Sequence, residues 1–387
     1  MSEGAISGVK KTTRNARPLV LLAAGGTGGH LFPAQALAGV LASRGIRVEL
    51  ATDERAAAYA TDFPADKVHV IPSATPSRRS IPVAIKAALT LARGIWKARG
   101  LAREIRPAVV VGFGGYPSVP PLLGASFAGT PTIIHEQNAV FGRANRFLAP
   151  RATAIATGFA SVGGLTGSLN SKATQTGNPI RPAVIEAARK PFSPLAEGGM
   201  LHLLVTGGSQ GARVMSDIVP AAIEKLSTSD RSRLSIVQQA RAEDVARVEE
   251  TYRGLGVRAE IAPFFKDLPA RIADAHLVIG RAGASTVAEL AIIGRPSILV
   301  PLPGALDQDQ AANAATLGSL GAATVIPQDA FTPERLAAEI SERLVAPGLL
   351  TQAAEAAKSA GIPDSADRLA DLVVRVGHID SAPETRP

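Results

Sequence analysis

Glycines, a hydroxyl and a histidine follow one another at Gly25-Gly26-Thr27-Gly28-Gly29-His30, directly after the apolar run Leu21-Leu22-Ala23-Ala24. Leu31, Leu37, Val40 and Leu41 then recur at helical spacing. A glycine loop between a buried strand and a helix aims bare backbone N–H groups and a helix N-terminus at one point, which suits a phosphate or another anion. Leu203-Leu204-Val205-Thr206-Gly207-Gly208-Ser209-Gln210-Gly211 repeats the design. The first loop lacks the Lys-Ser/Thr pair of a Walker loop and has Leu31 at the third glycine position of a dinucleotide fingerprint. Taken singly, each loop also reads as a tight turn.

Three further stretches carry reactive side chains. Thr132-Ile133-Ile134 runs into His135-Glu136-Gln137-Asn138, four polar groups at a strand's carboxyl end, where open α/β sheets bind ligands. Their other use is loop and cap hydrogen bonding. Gly283-Ala284-Ser285-Thr286-Val287-Ala288-Glu289 starts a helix whose carboxylate could accept hydrogen bonds from two neighbouring ribose hydroxyls, or serve as favourable charge at a helix start. Asp307-Gln308-Asp309-Gln310, followed by Asn313, reads as capping and sugar contacts rather than as a metal-binding Asp-x-Asp.

Parallel strands and covering helices must position these groups. Arg47–Thr52, Val68–Ile71, Val109–Val111 and Thr132–Ile134 read as strands of a first half. Stretches near 234–238, 257–261, 276–279 and 297–300 read as strands of a second. Asp53 stands where a ribose-binding acid would, but a helix cap is preferred. Residues 154–176 weave through short apolar and Gly-rich pieces, and Gly177-Asn178-Pro179-Ile180-Arg181-Pro182 onward to Gly199 reads as the interdomain connection. The reading is 1–17 as a disordered basic arm, 18–177 and 178–364 as two α/β domains, a last helix at 365–376 returning to the first domain, and a polar tail at 377–387.

Composition agrees. A chain of 387 residues can hold two full cores, and 4% aromatics with abundant Ala, Val, Leu and Gly suit buried parallel strands. The absence of cysteine excludes disulfides, cysteine-built zinc sites and thiol catalysis. A net charge of +8 favours anionic partners, but no nucleic-acid motif accompanies it. No signal peptide or clean spanning helix is expected: the uncharged run Pro107 to Ile134 is broken by Gly and Pro. Residues 81–99 predict an amphipathic helix with Ile81, Ile85, Ala88, Leu89, Ala92, Ile95 and Trp96 on one stripe and Lys86, Arg93, Lys97 and Arg99 mainly off it. Arg78 and Arg79 precede it. The stripe either packs inward or meets an anionic membrane surface.

Seven motifs in order resemble the MurG family of UDP-N-acetylglucosamine transferases. They are Gly25 to His30, Gly114-Gly115-Tyr116-x-Ser118, His135-Glu136-Gln137-Asn138, Gly177-Asn178-Pro179-x-Arg181, Gly207 to Arg213, Gly283-Ala284-x-Thr286-x-x-Glu289 and Asp307-x-x-Gln310-x-x-Asn313-Ala314. The resemblance implies a GT-B fold, α/β with two Rossmann-like domains whose parallel sheets face across a cleft. It implies inverting transfer of GlcNAc from UDP-GlcNAc to the C4 hydroxyl of MurNAc in lipid I, giving lipid II, with no metal or other cofactor. Glu289 is then expected at the ribose, and the 283–289 turn (with Ala284, Ser285, Thr286, Val287 and Ala288) and nearby Phe265 at the uracil and nucleoside. Gln310 would meet the donor sugar, and Ser209, Arg181, Asn138 and Thr27-Gly28-Gly29 the donor and its diphosphate. Tyr116 and Ser118 fall to the acceptor side, with Ile85, Lys86, Leu89, Arg93, Trp96 and Lys97 at the membrane. His30 is the first candidate base, its neutral form favoured at a helix N-terminus, and Glu136 the alternative; a purely structural His30 stays open. The family also implies a peripheral position on the cytoplasmic face of the bacterial inner membrane, and cell-wall synthesis and division proteins as partners. Gln238-Gln239-Ala240-Arg241 stands where the family often has His-Gln-Ser/Thr-Gly, Asp309 where His or Gln is usual, and Thr75 to Arg79 where it has a Gly-rich segment. Another GT-B UDP-sugar transferase acting on a glycolipid or small aglycone, and a non-catalytic nucleotide- or dinucleotide-binding protein, are the rival readings.

Overall fold

The structure, a computed structural model, describes residues 17–25, 28–57, 63–75, 81–208, 211–304 and 309–379. Residues 1–16 of the basic arm, Thr27, Arg78, Arg79, Ser209, Asp307 and residues 380–387 of the tail therefore lie outside the described residues.

Two all-parallel sheets carry the molecule. The first contains β1 (Leu19–Ala23), β2 (Arg47–Thr52), β3 (Lys67–Val70), β4 (Val109–Gly112), β5 (Thr132–Glu136), β6 (Ala154–Thr157) and β7 (Ala173–Gln175), in the order β3-β2-β1-β4-β5-β6-β7. The second contains β8 (Leu201–Thr206), β9 (Leu234–Gln239), β10 (Arg258–Ala262), β11 (Leu277–Gly280), β12 (Ser297–Leu299) and β13 (Ala323–Val325), in the order β10-β9-β8-β11-β12-β13. The orders match strand for strand apart from β7, so the expectation of two similar halves in an α/β GT-B arrangement holds. β6, β7 and β13 were not legible as strands: they are three or four residues long and built mostly from Ala and Thr.

Alternation along each central strand builds a core on both faces. Val20 and Leu22 pack with Leu37 and Leu41 of the helix Gly28–Ser43 and with Leu369, Leu372 and Val373 of the last helix, Ser365–Val376. Leu21 and Ala23 point the other way, to Ala98, Ala102, Leu122 and Leu123. In the second sheet Leu203 and Val205 meet Met215 and Val219, while Leu204 meets Ile272 and Leu290. Each sheet's order reverses at its first strand, so the crevices beyond β1/β4 and β8/β11 are where an open α/β sheet receives a ligand.

The helix Ile81–Ile105 runs six residues beyond the predicted end, and its buried face is not the apolar stripe. Ala87, Gly94, Ala98 and Ala102 face inward, against the helix Val119–Phe127. A Cβ on Gly94 would come within 2.1 Å of the Pro72 carbonyl oxygen, and one on Gly124 within 2.6 Å of the Arg99 backbone nitrogen. Close approach through small residues leaves the large ones outside: Ile81 is 76% and Trp96 71% exposed, and Ile85, Leu89, Lys86 and Arg93 are exposed too. Arg99 lies over the Trp96 ring, and Lys97 donates to the Val70 carbonyl at 2.8 Å, so Lys97 holds the helix to the sheet end. None of the described helices is long and apolar enough to cross a membrane.

Candidate active site

On the first domain, β1 empties into Gly25, where a Cβ would meet Pro117 at 2.8 Å and Asp53 Oδ1 at 2.9 Å. Asp53 is buried at the end of β2 beside Arg55, just before a short helix. His30 falls in the first turn of the helix Gly28–Ser43. The loop after β4 wraps its ring. Gly114 and Gly115 take φ of 81° and 69°, and a Cβ on Gly115 would press to 3.3 Å from His30 Nε2. Glycine is thus required twice over there, by backbone conformation and by room for the imidazole. Nδ1 of His30 is buried with no hydrogen-bond partner among the described residues. Burial holds the imidazole below its ordinary pKa, opposed more weakly by the Phe113 carbonyl and Gln137. A neutral ring in this position can accept a proton. Tyr116 is half-buried, while Ser118 is buried and donates to the Gly115 carbonyl at 2.8 Å, closing the loop rather than facing outward.

The strand-end quartet divides its labour. Glu136 accepts from the Asn138 and Gly142 backbone N–H groups at 3.0 and 2.9 Å, and from Asn138 Nδ2 and Asn145 Nδ2 at 3.4 and 2.8 Å. Four donors use all four lone-pair positions of the carboxylate, so it shapes the 138–142 turn. Burial pushes its pKa up and these hydrogen bonds oppose that. Gln137 donates to the Phe113 carbonyl at 3.0 Å. His135 is fully buried and its Nε2 meets the Gly177 carbonyl at 3.0 Å, which ties the end of β5 to the turn after β7.

Burial drops His135 to about 4, with the Gly177 hydrogen bond opposing. An unfolded imidazole titrates near 6.5, so the unfolded chain binds the extra proton between those values. The contribution to stability is present above about pH 6.5 and is lost as pH falls toward 4, in total roughly 3 kcal/mol. Denaturant melts of the wild type and of His135→Gln at pH 7 and pH 4.5 should show the larger acid loss in the wild type. Equal losses would remove His135 from the acid response.

On the second domain, the loop after β8 is tight: a Cβ on Gly207 would reach 2.2 Å from Ala212 N. Gln239 holds it, accepting from Thr206 Oγ1 and Gly207 N and donating to the Gly208 and Pro263 carbonyls, all at 3.1 Å. The helix Ala284–Ile293 starts just after β11 and places Glu289 in its second turn. Glu289 is buried and paired with Arg181 Nη2 at 3.3 Å. Burial raises its pKa and the guanidinium opposes the rise. Arg181 also lies over the Phe32 ring, 4.6 Å from its centroid, and so reaches from the connection between the sheets to the first domain's loop helix. Gln310 Oε1 accepts from Ala282 N and Leu302 N at 3.3 and 3.1 Å. Asn138 and Asn313 join the two domains directly, Nδ2 of Asn313 to Oδ1 of Asn138 at 3.0 Å. After β10 the exposed ring is that of Phe264, 62% accessible, whereas Phe265 is 8% accessible beneath Arg271. Sequence reasoning chose Phe265 and passed over Phe264, Gln239 and Arg281; adjacent aromatics carry no local signal of which one turns outward. Arg281 is buried and donates to the Val300 and Pro301 carbonyls and to Gln328.

Both halves match models of one family. Residues 20–157 match the glycosyltransferase family 28 N-terminal domain and residues 202–369 its C-terminal domain. The chain belongs to glycosyltransferase family 28. Among family 28 relatives, one from Methylorubrum populi is 62% identical over 357 residues, 92% of this chain and 96% of that protein. One from Rhodopseudomonas palustris is 57% identical over 362 residues, 94% of this chain and 99% of that protein. Both are named UDP-N-acetylglucosamine–N-acetylmuramyl-(pentapeptide) pyrophosphoryl-undecaprenol N-acetylglucosamine transferase. The crystal structure of MurG from Acinetobacter baumannii superposes with a TM-score of 0.76 at 28% identity, covering 92% of this chain and 99% of that one.

Proposed function

We infer that this family 28 chain transfers GlcNAc from UDP-GlcNAc to the C4 hydroxyl of the MurNAc unit of lipid I, giving lipid II. The observation that carries the reading is 62% identity over nearly the whole chain to a transferase named for that donor and acceptor. The decisive experiment is transfer of radiolabelled GlcNAc from UDP-GlcNAc to a lipid I analogue, run beside small aglycones; transfer to the aglycones alone would overturn the acceptor assignment.

The residues supply a coherent single displacement. The C4 oxygen attacks C1 of GlcNAc from the face opposite UDP. His30 takes the hydroxyl proton, the new C–O bond forms, and the bond from C1 to the diphosphate oxygen breaks with its electron pair leaving on UDP. Glu136 is a poor competitor for the proton, because its lone pairs are already taken. Arg181, Ser209 and the helix N-terminus after the second glycine loop meet the growing charge on the diphosphate, and the step calls for no metal. Glu289 accepts from the ribose hydroxyls, the Phe264 ring serves the base, and Gln310 offers its Nε2 to the sugar while its Oε1 stays with the loops. The acceptor's lipid stays in the bilayer, so the first domain works from the cytoplasmic membrane face through Ile81, Ile85, Leu89 and Trp96.

Glu289→Ala tests the donor half. Loss of a charged acceptor facing two hydroxyls should weaken UDP binding by roughly 1–3 kcal/mol. Calorimetry finding unchanged UDP affinity in a folded variant would remove Glu289 from the ribose.

A further inference from the structure

The two domains are joined by a side chain whose amide oxygen and both amide hydrogens are engaged. Asn313 lies in the helix Asp309–Gly318 of the second domain and is fully buried. Its Oδ1 accepts from the Ala139 backbone N–H at 2.8 Å, and its Nδ2 donates to Asn138 Oδ1 at 3.0 Å and to the Ala282 carbonyl at 3.2 Å. One N–H on one side and two oxygens on the other fix which way the amide points, since a flipped amide would set like against like. Asn138 is itself held by Glu136 at the end of β5. Ala282 lies between β11 and the helix that bears Glu289. A continuous chain, Glu136 to Asn138 to Asn313 to Ala282, therefore runs from a strand end of one sheet to a strand end of the other.

We propose that Asn313 is a positioning residue that holds the two domains in register for transfer, by bonding the 138–139 turn of the first domain and the 282 loop of the second at once. This rests on the reading that acceptor and donor sit on different domains. Asn313 touches neither substrate in this role. It sets the distance between them, and a misplacement of about 1 Å at a reacting pair is enough to slow a displacement steeply. Asn313→Asp is the sharpest variant: it keeps the acceptor for Ala139 and the shape, but sets a carboxylate oxygen against two oxygens that now lack a donor. Asn313→Ala removes all three bonds.

The absence of cysteine makes the domain distance directly measurable. Spin labels at Ala42→Cys and Glu249→Cys, one on each domain and both exposed, report it in the ligand-free full chain without background. With Asn313→Asp or Asn313→Ala the distance distribution should broaden or shift, kcat should fall about 10- to 100-fold, and UDP affinity by calorimetry should stay within about threefold. Asn138→Ala cuts the same joint from the other domain. It should change the distance distribution in the same way, and the Asn138→Ala/Asn313→Ala double variant should be no worse in kcat than the poorer single variant. An unchanged distribution, additive losses in kcat, or a UDP affinity that falls as far as kcat would overturn the proposal, the last by making Asn313 a donor-domain residue only. If an Asn313 variant fails to fold, the Asn138→Ala distribution decides alone. The wild-type transfer assay judges the activity separately, because the distance is read without substrate.

Discussion

His30→Ala is expected to lower kcat about 10²- to 10⁴-fold while leaving UDP-GlcNAc affinity nearly unchanged. The ring sits at the first turn of the loop helix, enclosed by Gly114 and Gly115, and burial keeps it below the ordinary histidine pKa. Both features hold it neutral at pH 7, the form that accepts a proton. The pH dependence follows with a definite sign. Activity requires the deprotonated ring, so kcat/KM should be level through neutrality and fall as pH drops through the lowered pKa, with the acid limb below pH 6.5. His30→Ala should abolish that limb as well as the rate. A fully active variant would take His30 out of the mechanism. Equal losses in UDP binding and kcat would make it a donor-site residue, and an unaltered acid limb in the residual rate would give the limb to another group. Gly115→Ala should resemble it, since a Cβ 3.3 Å from Nε2 at a positive φ displaces ring and backbone together.

Charge reversal on the exposed face of the helix Ile81–Ile105 is expected to release the protein from anionic vesicles. Ile81, Ile85, Leu89 and Trp96 are exposed because Ala87, Gly94, Ala98 and Ala102 do the packing. Their apolar area is available to an interface rather than consumed by the core. Lys86 and Arg93 accompany them at the surface. Each cation near an anionic surface contributes about 1 kcal/mol, and reversing it replaces attraction with repulsion. Lys86→Glu with Arg93→Glu should therefore cost roughly 4 kcal/mol of vesicle affinity, near a thousandfold at low salt. Lys97 is left in place, because its ammonium anchors the helix to Val70. Salt should weaken wild-type binding as the screening length shortens, and should not weaken the residual binding of the double variant, whose reversed charges are repelled. Cosedimentation with anionic and neutral vesicles measures this, and transfer to a short-chain soluble acceptor should survive the change better than transfer to lipid I in vesicles. Binding indifferent to salt and to charge reversal would place the docking surface elsewhere.

What the sequence determined by itself was local. Runs such as Leu19–Ala23 and Leu201–Thr206 are buried on both faces, and a strand of that kind announces itself without its neighbours. The glycines that follow them answer to backbone conformation and close approach, so the two loops, the doubled α/β plan and the position of His30 could be read directly. The helices Ile81–Ile105 and Ser365–Val376 were legible by period. Tertiary structure decided everything that depends on which surfaces meet. Periodicity places Ile81, Leu89 and Trp96 on one stripe but cannot say whether that stripe or the small-residue face packs inward; Gly94 and Gly124 settle it by letting two backbones approach. Glu136 is acidic in sequence but saturated in space by four donors, two of them the side chains of Asn138 and Asn145. Arg181 meets Glu289 and Phe32, and Asn313 meets Asn138 and Ala139, across more than a hundred residues of chain. Such pairs leave no periodic or compositional trace, because their cost and gain arise only when two separately folded sheets are brought together and a buried amide or guanidinium must find its partners there.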